Sequence, residues 1–559
     1  MRNNITIKST IYIHTLLFTA VFALFSVSSS SSYSAVLLNS LVVLSSYVVV
    51  LFLSSSTFRP LLTAMLTLFF LLLYLFNFIS LKFWNEQVTL DFLYRNIEVF
   101  ITQAISFPWP VLSLCIITPI ALYLLYRRYL PRNINRSTDF GALALVPIVL
   151  LLFYSFTKTI TSNLDQIWQG EPVYELFKYD LDVLNTPEIF MPPSTSLHHR
   201  ERQLPNIILV HADALRADRL SAYNNPRDIT PFIDTLIENG ATYYPYSFSN
   251  CSESICGFSS VLNSSFKLHG VNNGLIENLS SIGYFTNFIG TGDLNHANLS
   301  TFFSNKIDNF LRADHSENFY KHDDRFILQT LKSFPNYQNI SSFFYLRLMS
   351  SHPLGSHREK FKKYVPLPGS LFSMFFGNNT YEQLVNAHDN MAHQFDAYLA
   401  DIFSILEEKG FLDNVIVVIY GDHGDAMGEH GQIGHYQTLF NEEIHVPIIF
   451  WTSPNIQLNL KPQQFSTLMD IAPTLLHSLG SNVPSNYLGH PLQVFKERKQ
   501  ALLDNKRGDK GFIFQEEGSL YKVIKKKNGD RLVFDLINDF DEKNDLSHSR
   551  PDLNNLLKH

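Results

Sequence analysis

The reading of the fold turns on Asn206-Ile-Ile-Leu-Val-His-Ala-Asp213, five residues of buried-strand character that run into a histidine and an aspartate. A short run this apolar, without strict alternation, is the pattern of a strand covered on both faces. The pattern recurs. Phe343 to Met349 runs into Ser350-Ser-His352-Pro353, and Val415 to Tyr420 runs into Gly421-Asp422-His423-Gly424-Asp425. Tyr284 to Ile289 and Val446 to Trp451 read as further strands. Helices fall between them. Thr230 to Asn239 has Thr230 as N-cap, Pro231 at the first position and Gly240 as a stop, and the long pattern Tyr381 to Lys409 closes at Gly410. Strands alternating with helices predict an α/β domain with a mostly parallel sheet between helices. In such sheets function gathers beyond the carboxyl ends of the strands. Three separate strands here end on potential metal ligands or acid–base groups.

Outward toward the N-terminus the composition changes. Five apolar runs, Ile11 to Val27, Ala35 to Leu53, Leu61 to Ile79, Val111 to Tyr126 and Leu143 to Phe156, carry almost no charge. About 20 such residues cross a hydrocarbon core of roughly 30 Å as a helix. Arg2, Lys8, Arg59 and the group Arg127, Arg128, Arg132 and Arg136 fall on one side of a five-span arrangement, which the bias of basic loops marks as cytoplasmic. The expected organisation is a transmembrane bundle over 1–158, a linker over 159–203 and an extracytoplasmic α/β domain over 204–559. The expected location is the inner (cytoplasmic) membrane, with membrane lipid or envelope polymer as partner. The segment Lys82 to Ser106 reads as an interfacial helix or as an ordinary loop. A net charge of −7 argues against nucleic acid as a partner. Of the three cysteines, Cys115 lies in an apolar run, while Cys251 and Cys256 are close enough to be a disulfide or two unrelated thiols.

The polar strand ends have a chemistry. Asp213, Asp422 and His423 offer two carboxylates and an imidazole, a set that suits Mn²⁺, Zn²⁺ or a similar divalent ion, whereas an all-oxygen site suits Ca²⁺ or Mg²⁺. A bound cation polarises an ester oxygen and lowers the pKa of a hydroxyl nucleophile. The candidate hydroxyl is Ser254, in Ser249-Asn-Cys-Ser-Glu-Ser254-Ile-Cys-Gly-Phe-Ser-Ser-Val-Leu. The periodicity after it fits a helix whose N-terminus favours an anionic group. A plain serine cap is the alternative.

These residues resemble the sulfatase and alkaline-phosphatase superfamily. The resemblance rests on Asn206 to Leu220 with Asp213, Arg216 and Asp218, on Tyr223 and on Thr230-Pro231-Phe-Ile-Asp-Thr-Leu. It continues through Asp422-His423-Gly, Gly428-Glu429-His430-Gly431, Glu442-Glu443-Ile-His-Val446-Pro447 and Asp470-Ile-Ala-Pro-Thr-Leu-Leu. It closes on Leu532-Val-Phe-Asp535-Leu followed by Asp541 to Leu546. It spans residues 204 to 546, with the motifs in order. Two departures stand out. The sulfatase nucleophile lies in Cys/Ser-x-Pro-x-Arg and is oxidised to formylglycine. Neither the Cys251 nor the Ser254 register has that Pro or Arg. The Ser254 register agrees better with the family, because it overlays Ser259-Ser-Val-Leu-Asn-Ser264 on the family's Ala-Ser-Leu-Leu-Thr-Gly. Ala214 stands where the family has a second acidic ligand.

Both departures point to the membrane-anchored branch that includes lipoteichoic acid synthases, phosphoethanolamine transferases and a related inner-membrane lipopolysaccharide sensor. The resemblance implies one divalent metal (Mn, Zn, Mg or Ca) on Asp213, Ser254, Asp422 and His423. It implies Ser254 as nucleophile, His352 and His430 as further catalytic groups and His435 as a substrate contact. Arg216 and Asp218 are expected to pair inside the fold, and His388, His393 and Glu407 to be solvated on their helix. Three functions are consistent with the resemblance: an enzyme transferring or hydrolysing a phosphate-linked head group, a sulfatase proper, and a catalytically silent lipid sensor of the same fold.

Overall fold

The computed structural model describes residues 204–554, apart from 269–272, 295–298, 305, 316–320, 369–373, 375–378, 495–499 and 506, together with 61–68 and Leu124. The expected spans, interfacial segment and linker lie outside the described residues, save that 61–68, at the start of the third expected span, and Leu124, in the fourth, are helical. Among the described residues no helix is long and apolar enough to cross a membrane. Asp182–His559 forms a compact unit distinct from Met1–Leu181.

Seven strands make the central sheet of this unit: β1 Asn206–Ala212, β2 Thr242–Tyr243, β3 Phe285–Gly290, β4 Asn309–Arg312, β5 Ser342–Leu348, β6 Val415–Gly421 and β7 Ile448–Thr452, in the order β2-β7-β6-β1-β5-β3-β4. The block β6-β1-β5-β3-β4 is parallel, as the continuous apolar runs predict. β7 pairs antiparallel with both β6 and β2 and gives the sheet a mixed edge. Alternate side chains of β1 face opposite ways, as pleating requires. Ile208 and Val210 enter one core with helices α1 (Pro231–Glu238), α4 (Arg325–Ser333) and α5 (Tyr381–Glu408). Ile207 and Leu209 enter another with α2 (Ser254–Asn263), α3 (Leu275–Ser281) and α6 (Ile471–Ser478). Each apolar side chain fully buried in this way contributes roughly 1.5–3 kcal/mol.

Register sets the place of the site. Ala212 is paired with Leu348 on one side and Gly421 on the other. The chain therefore leaves three neighbouring strands at one level, with Asp213, Ser350–His352 and Asp422–His423 just beyond.

Helix α1 begins at Pro231 as expected, but the Thr230 side chain does not cap it. Asp396 of α5 does so, one carboxylate oxygen accepting from Phe232 N–H and the other from Ile233 N–H at 2.9 Å each. Two oxygens satisfy two first-turn donors where one hydroxyl would satisfy one.

A second sheet, not anticipated from the sequence, lies nearer the C-terminus: β8 Gln500–Asp504, β9 Lys510–Glu516, β10 Ser519–Lys525 and β11 Arg531–Asp535, antiparallel throughout. Its inner face (Ala501, Ile513, Leu520, Phe534) packs on Phe248, Leu439, Phe440 and Ile444 and so backs the segment that carries Glu442 and Glu443.

Candidate active site

Helix α2 brings the serine in. Ser254 is its first residue, preceded by Glu253 in extended conformation, so the first-turn N–H groups of Ser254, Ile255 and Cys256 have no helical acceptor. A Cys251–Cys256 disulfide closes the loop around Ser254. The Cys251 sulfur is thereby engaged, which leaves Ser254 as the register with a free nucleophilic group. Helix α2 sits tightly on the loop after β6. A Cβ at Gly257 would lie 2.7 Å from Asp422 Cβ, so glycine is what lets the helix approach.

Ser254 Oγ lies 3.1 Å from His423 Nε2. His423 Nδ1–H donates to Gly424 O at 3.0 Å, which leaves the Nε2 lone pair facing the serine. Asp422 Oδ1 accepts from the N–H groups of Ala214 (3.0 Å) and His423 (2.9 Å). Ala214 is held at φ 62 to aim that N–H, a left-handed conformation that costs a residue with a side chain about 1–2 kcal/mol. Burial works against ionisation of Asp422. The imidazoles of His423 and His211 and the Ala214 N–H outweigh it and hold the carboxyl well below the usual carboxylate range. Asp213 Oδ2 accepts from Arg347 Nη2 at 2.6 Å.

The other two carboxylate oxygens are buried, each 3.7 Å from His423 Nε2; Asp213 Oδ1 has no hydrogen-bond donor among the described residues, and the nearest polar atom to Asp422 Oδ2 is His211 Nε2 at 3.0 Å. An orphaned buried acceptor costs about 1–3 kcal/mol, and more when charged. Two buried oxygens converging beside an imidazole lone pair and a hydroxyl fit a divalent cation, and the mixed donors suit Mn²⁺ or Zn²⁺. Of the expected metal ligands, Asp213, Ser254, Asp422 and His423 are thus brought together.

Two further histidines join them. His352 Nε2 is 4.0 Å from Asp213 Oδ1, and its Nδ1 accepts from Leu354 N–H at 3.0 Å, so the neutral ring carries its proton on Nε2. Burial pushes His352 down to about 4, against the charges of Asp213 and Asp425. The His435 ring lies 4.1 Å from that of His423 and 5.4 Å from that of His352. Burial opposes its protonation too, but Asp425, bonded to His435 Nδ1 at 2.6 Å, lifts it to about 9.

His430 is not brought to the cluster. Its Nδ1 meets Glu442 Oε1 at 2.7 Å, its Nε2 meets the Glu542 carbonyl at 3.3 Å, and its ring stacks on Phe440. Both nitrogens are engaged, Nδ1 with the nearby Glu442 and Nε2 with the C-terminal segment at Glu542. Arg216 pairs with Asp218 and Glu429 as expected. Glu407 is exposed as expected, but His388 is buried, and His393 is half-buried with its Nδ1 bonded to Ile229 O at 2.9 Å.

Sequence reasoning missed Arg347, His211 and Asp425 as members of the site. Arg347 carried a signal: it is a lone charge inside the apolar run Phe-Phe-Tyr-Leu-Arg-Leu.

The family model described as Sulfatase matches residues 205–481. Arylsulfatase K of Bos taurus is 32% identical over 115 residues, which is 20% of this chain and 21% of that protein. Lipoteichoic acid synthase of Staphylococcus aureus (strain USA300) is 23% identical over 413 residues, covering 67% of this chain and 58% of that one. The match thus spans about a fifth of arylsulfatase K and under two thirds of the synthase. A solved protein in complex with its substrate D-glucosamine-2-N,6-O-disulfate superposes with a TM-score of 0.51 at 17% identity, over 64% of this chain and 97% of that one, which speaks to the fold.

Proposed function

We propose that this chain is an enzyme of the sulfatase/alkaline-phosphatase superfamily, whose Sulfatase model matches residues 205–481, and that it cleaves or transfers a phosphate-linked head group through a covalent Ser254 ester. The carrying observation is Ser254 Oγ at a helix N-terminus, 3.1 Å from His423 Nε2 and beside two buried carboxylate oxygens. The apolar N-terminal third supports a membrane anchor with the domain outside the cytoplasm, and hence a lipid or envelope polymer as substrate. The disulfide fits an oxidising compartment. The sulfatase reading by way of formylglycine lacks the Pro and Arg of its motif, and Cys251 is tied to Cys256.

Asp213, Asp422 and His423 would hold a divalent ion, which would supply Lewis-acid polarisation of the ester and lower the pKa of the Ser254 hydroxyl. The N–H groups of the first turn of α2 face the charge that develops on the phosphoryl oxygens. Ser254 Oγ, its proton released to solvent, forms the bond to phosphorus as the bond to the departing alkoxide breaks. His435, protonated beside Asp425, donates a proton to that alkoxide. His352, neutral and protonated on Nε2, donates a hydrogen bond to a non-bridging oxygen. Water or a second hydroxyl then displaces Ser254.

The test uses the full-length protein with Mn²⁺ or Zn²⁺ on nitrophenyl sulfate, phosphate monoester and phosphate diesters, beside Ser254→Ala. Metal-dependent phosphate-ester turnover that Ser254→Ala abolishes is expected. Preference for the sulfate ester moves the reading to a sulfatase, and turnover that survives Ser254→Ala overturns the mechanism.

A further inference from the structure

We propose that His211 is a resident ligand of the metal site, completing a set of two carboxylates and two imidazoles that selects Mn²⁺ or Zn²⁺ over Ca²⁺ or Mg²⁺. The proposal rests on the reading of Asp213, Asp422 and His423 as a metal site.

His211 is fully buried, next to last in β1, with its ring edge against Phe258. Its Nε2 lies 3.0 Å from Asp422 Oδ2, an ion pair when the ring is protonated, and neither atom has another hydrogen-bond partner among the described residues. Two polar atoms this close, buried and with only each other for partner, share a space that a cation can take in place of the proton. Donors about 2.0–2.2 Å from one ion at roughly tetrahedral to octahedral angles stand about 3.0–3.6 Å apart. The 3.0 Å separation here, and the 3.7 Å from His423 Nε2 to Asp213 Oδ1 and Asp422 Oδ2, lie close to that spacing. One donor atom each of His211, Asp213 and Asp422 falls within 4.8 Å of the others.

The far side of the ring is built for the role. His211 Nδ1 lies 2.9 Å from Tyr345 Oη, which lies 2.7 Å from Tyr420 Oη, all buried. With Nδ1–H donating to Tyr345, and Tyr345 to Tyr420, the His211 Nε2 lone pair is presented to the site. A partner on the remote nitrogen is what fixes the tautomer and orientation of a ligating histidine.

The donor balance gives the reason. Ala214 removes an acidic ligand, and Arg347 offsets one of the remaining two carboxylates at Asp213 Oδ2. A neutral imidazole adds a donor without adding buried negative charge. Imidazole nitrogen suits transition ions, whereas Ca²⁺ and Mg²⁺ favour oxygen.

The experiment is pulsed electron paramagnetic resonance on the Mn²⁺-loaded full-length protein, with binding measured by titration calorimetry. The wild type should show nitrogen couplings from two imidazoles, and His211→Gln and His423→Gln should each show one. Mn²⁺ should bind His211→Gln about 10- to 100-fold more weakly, the scale on which ligand support is lost. The wild type should bind Mn²⁺ in excess Mg²⁺. If His211→Gln does not fold, Tyr345→Phe serves instead, with weakened Mn²⁺ binding and an altered coupling from one imidazole. A single coupling in the wild type that persists in either variant overturns the proposal while leaving the functional reading intact. If wild type and Asp213→Asn alike bind no Mn²⁺, the metal site itself, and with it the functional reading, falls.

Discussion

Gly257→Ala sets two physical effects against each other. In a helix interior alanine is favoured over glycine by about 1 kcal/mol, so propensity alone predicts a more stable protein. The structure predicts the reverse. The added methyl would lie 2.7 Å from Asp422 Cβ and 3.2 Å from its carbonyl oxygen. Carbon–carbon contact is comfortable at ~3.5–4.0 Å, so helix α2 and the Asp422 loop must part by about 1 Å. Over-packing of this kind costs about 1–3 kcal/mol, which more than cancels the propensity gain at the upper end. Ser254 lies one turn before Gly257 on the same helix, so the movement carries its hydroxyl away from His423. A displacement of about 1 Å at a reacting group lowers the rate by about 10²-fold. Urea unfolding and ester turnover, measured on wild type and Gly257→Ala, give both quantities. Lower stability with a fall in kcat of about two orders of magnitude is the expected outcome. A variant that is more stable than wild type and fully active would show that Gly257 does not set the seat of the nucleophile helix.

Three other perturbations bear on the same architecture. Replacing Cys251 and Cys256 together with serine opens the loop around Ser254; the entropy of so short a loop predicts a loss of about 2 kcal/mol in chemical denaturation. Turnover should fall while Mn²⁺ binding persists, because Asp213, Asp422 and His423 lie outside the loop. His430 titrates with folding. Burial lowers its pKa, but the Glu442 hydrogen bond and charge raise it above 6.5 on balance. Its contribution to stability is therefore fully present below pH 6.5 and is lost as the pH rises through the raised folded value. The difference in unfolding free energy between wild type and His430→Asn should shrink across that window, and a difference that grows with pH would refute the assignment. Lys522→Met strips the buried Glu542 of its cation, 2.7 Å away. It should cost about 3–5 kcal/mol, with the double variant Lys522→Met/Glu542→Gln recovering most of the loss.

Much of the domain was legible because four of the five parallel strands are largely apolar runs that end in polar groups, whereas the short Asn309–Arg312 was not read as a strand. Asn206–Val210 and Val415–Tyr420 point to Asp213, Asp422 and His423 without further help. Features that depend on partners distant in sequence failed to show. Thr230-Pro231 looks like a self-capped helix start, whereas the cap is Asp396, supplied from another helix. His430 sits in a motif shared with catalytic relatives, and only the fold shows Glu442 and the Glu542 carbonyl occupying its nitrogens. His388 reads as a helix-surface residue, but the length of α5 buries that part of its face. Gln500–Asp504 does alternate exposed and buried side chains, a period-two signal that its short length and charged neighbours obscure.

A covalent ester on Ser254 is open to direct observation by peptide mass mapping of the full-length protein, quenched during Mn²⁺-dependent turnover of a nitrophenyl phosphodiester. The mechanism requires a phosphoryl adduct on the segment Cys251–Cys256, placed at Ser254 by fragmentation and absent from Ser254→Ala. Continued turnover with that segment unmodified, or with the adduct on another residue, would contradict it.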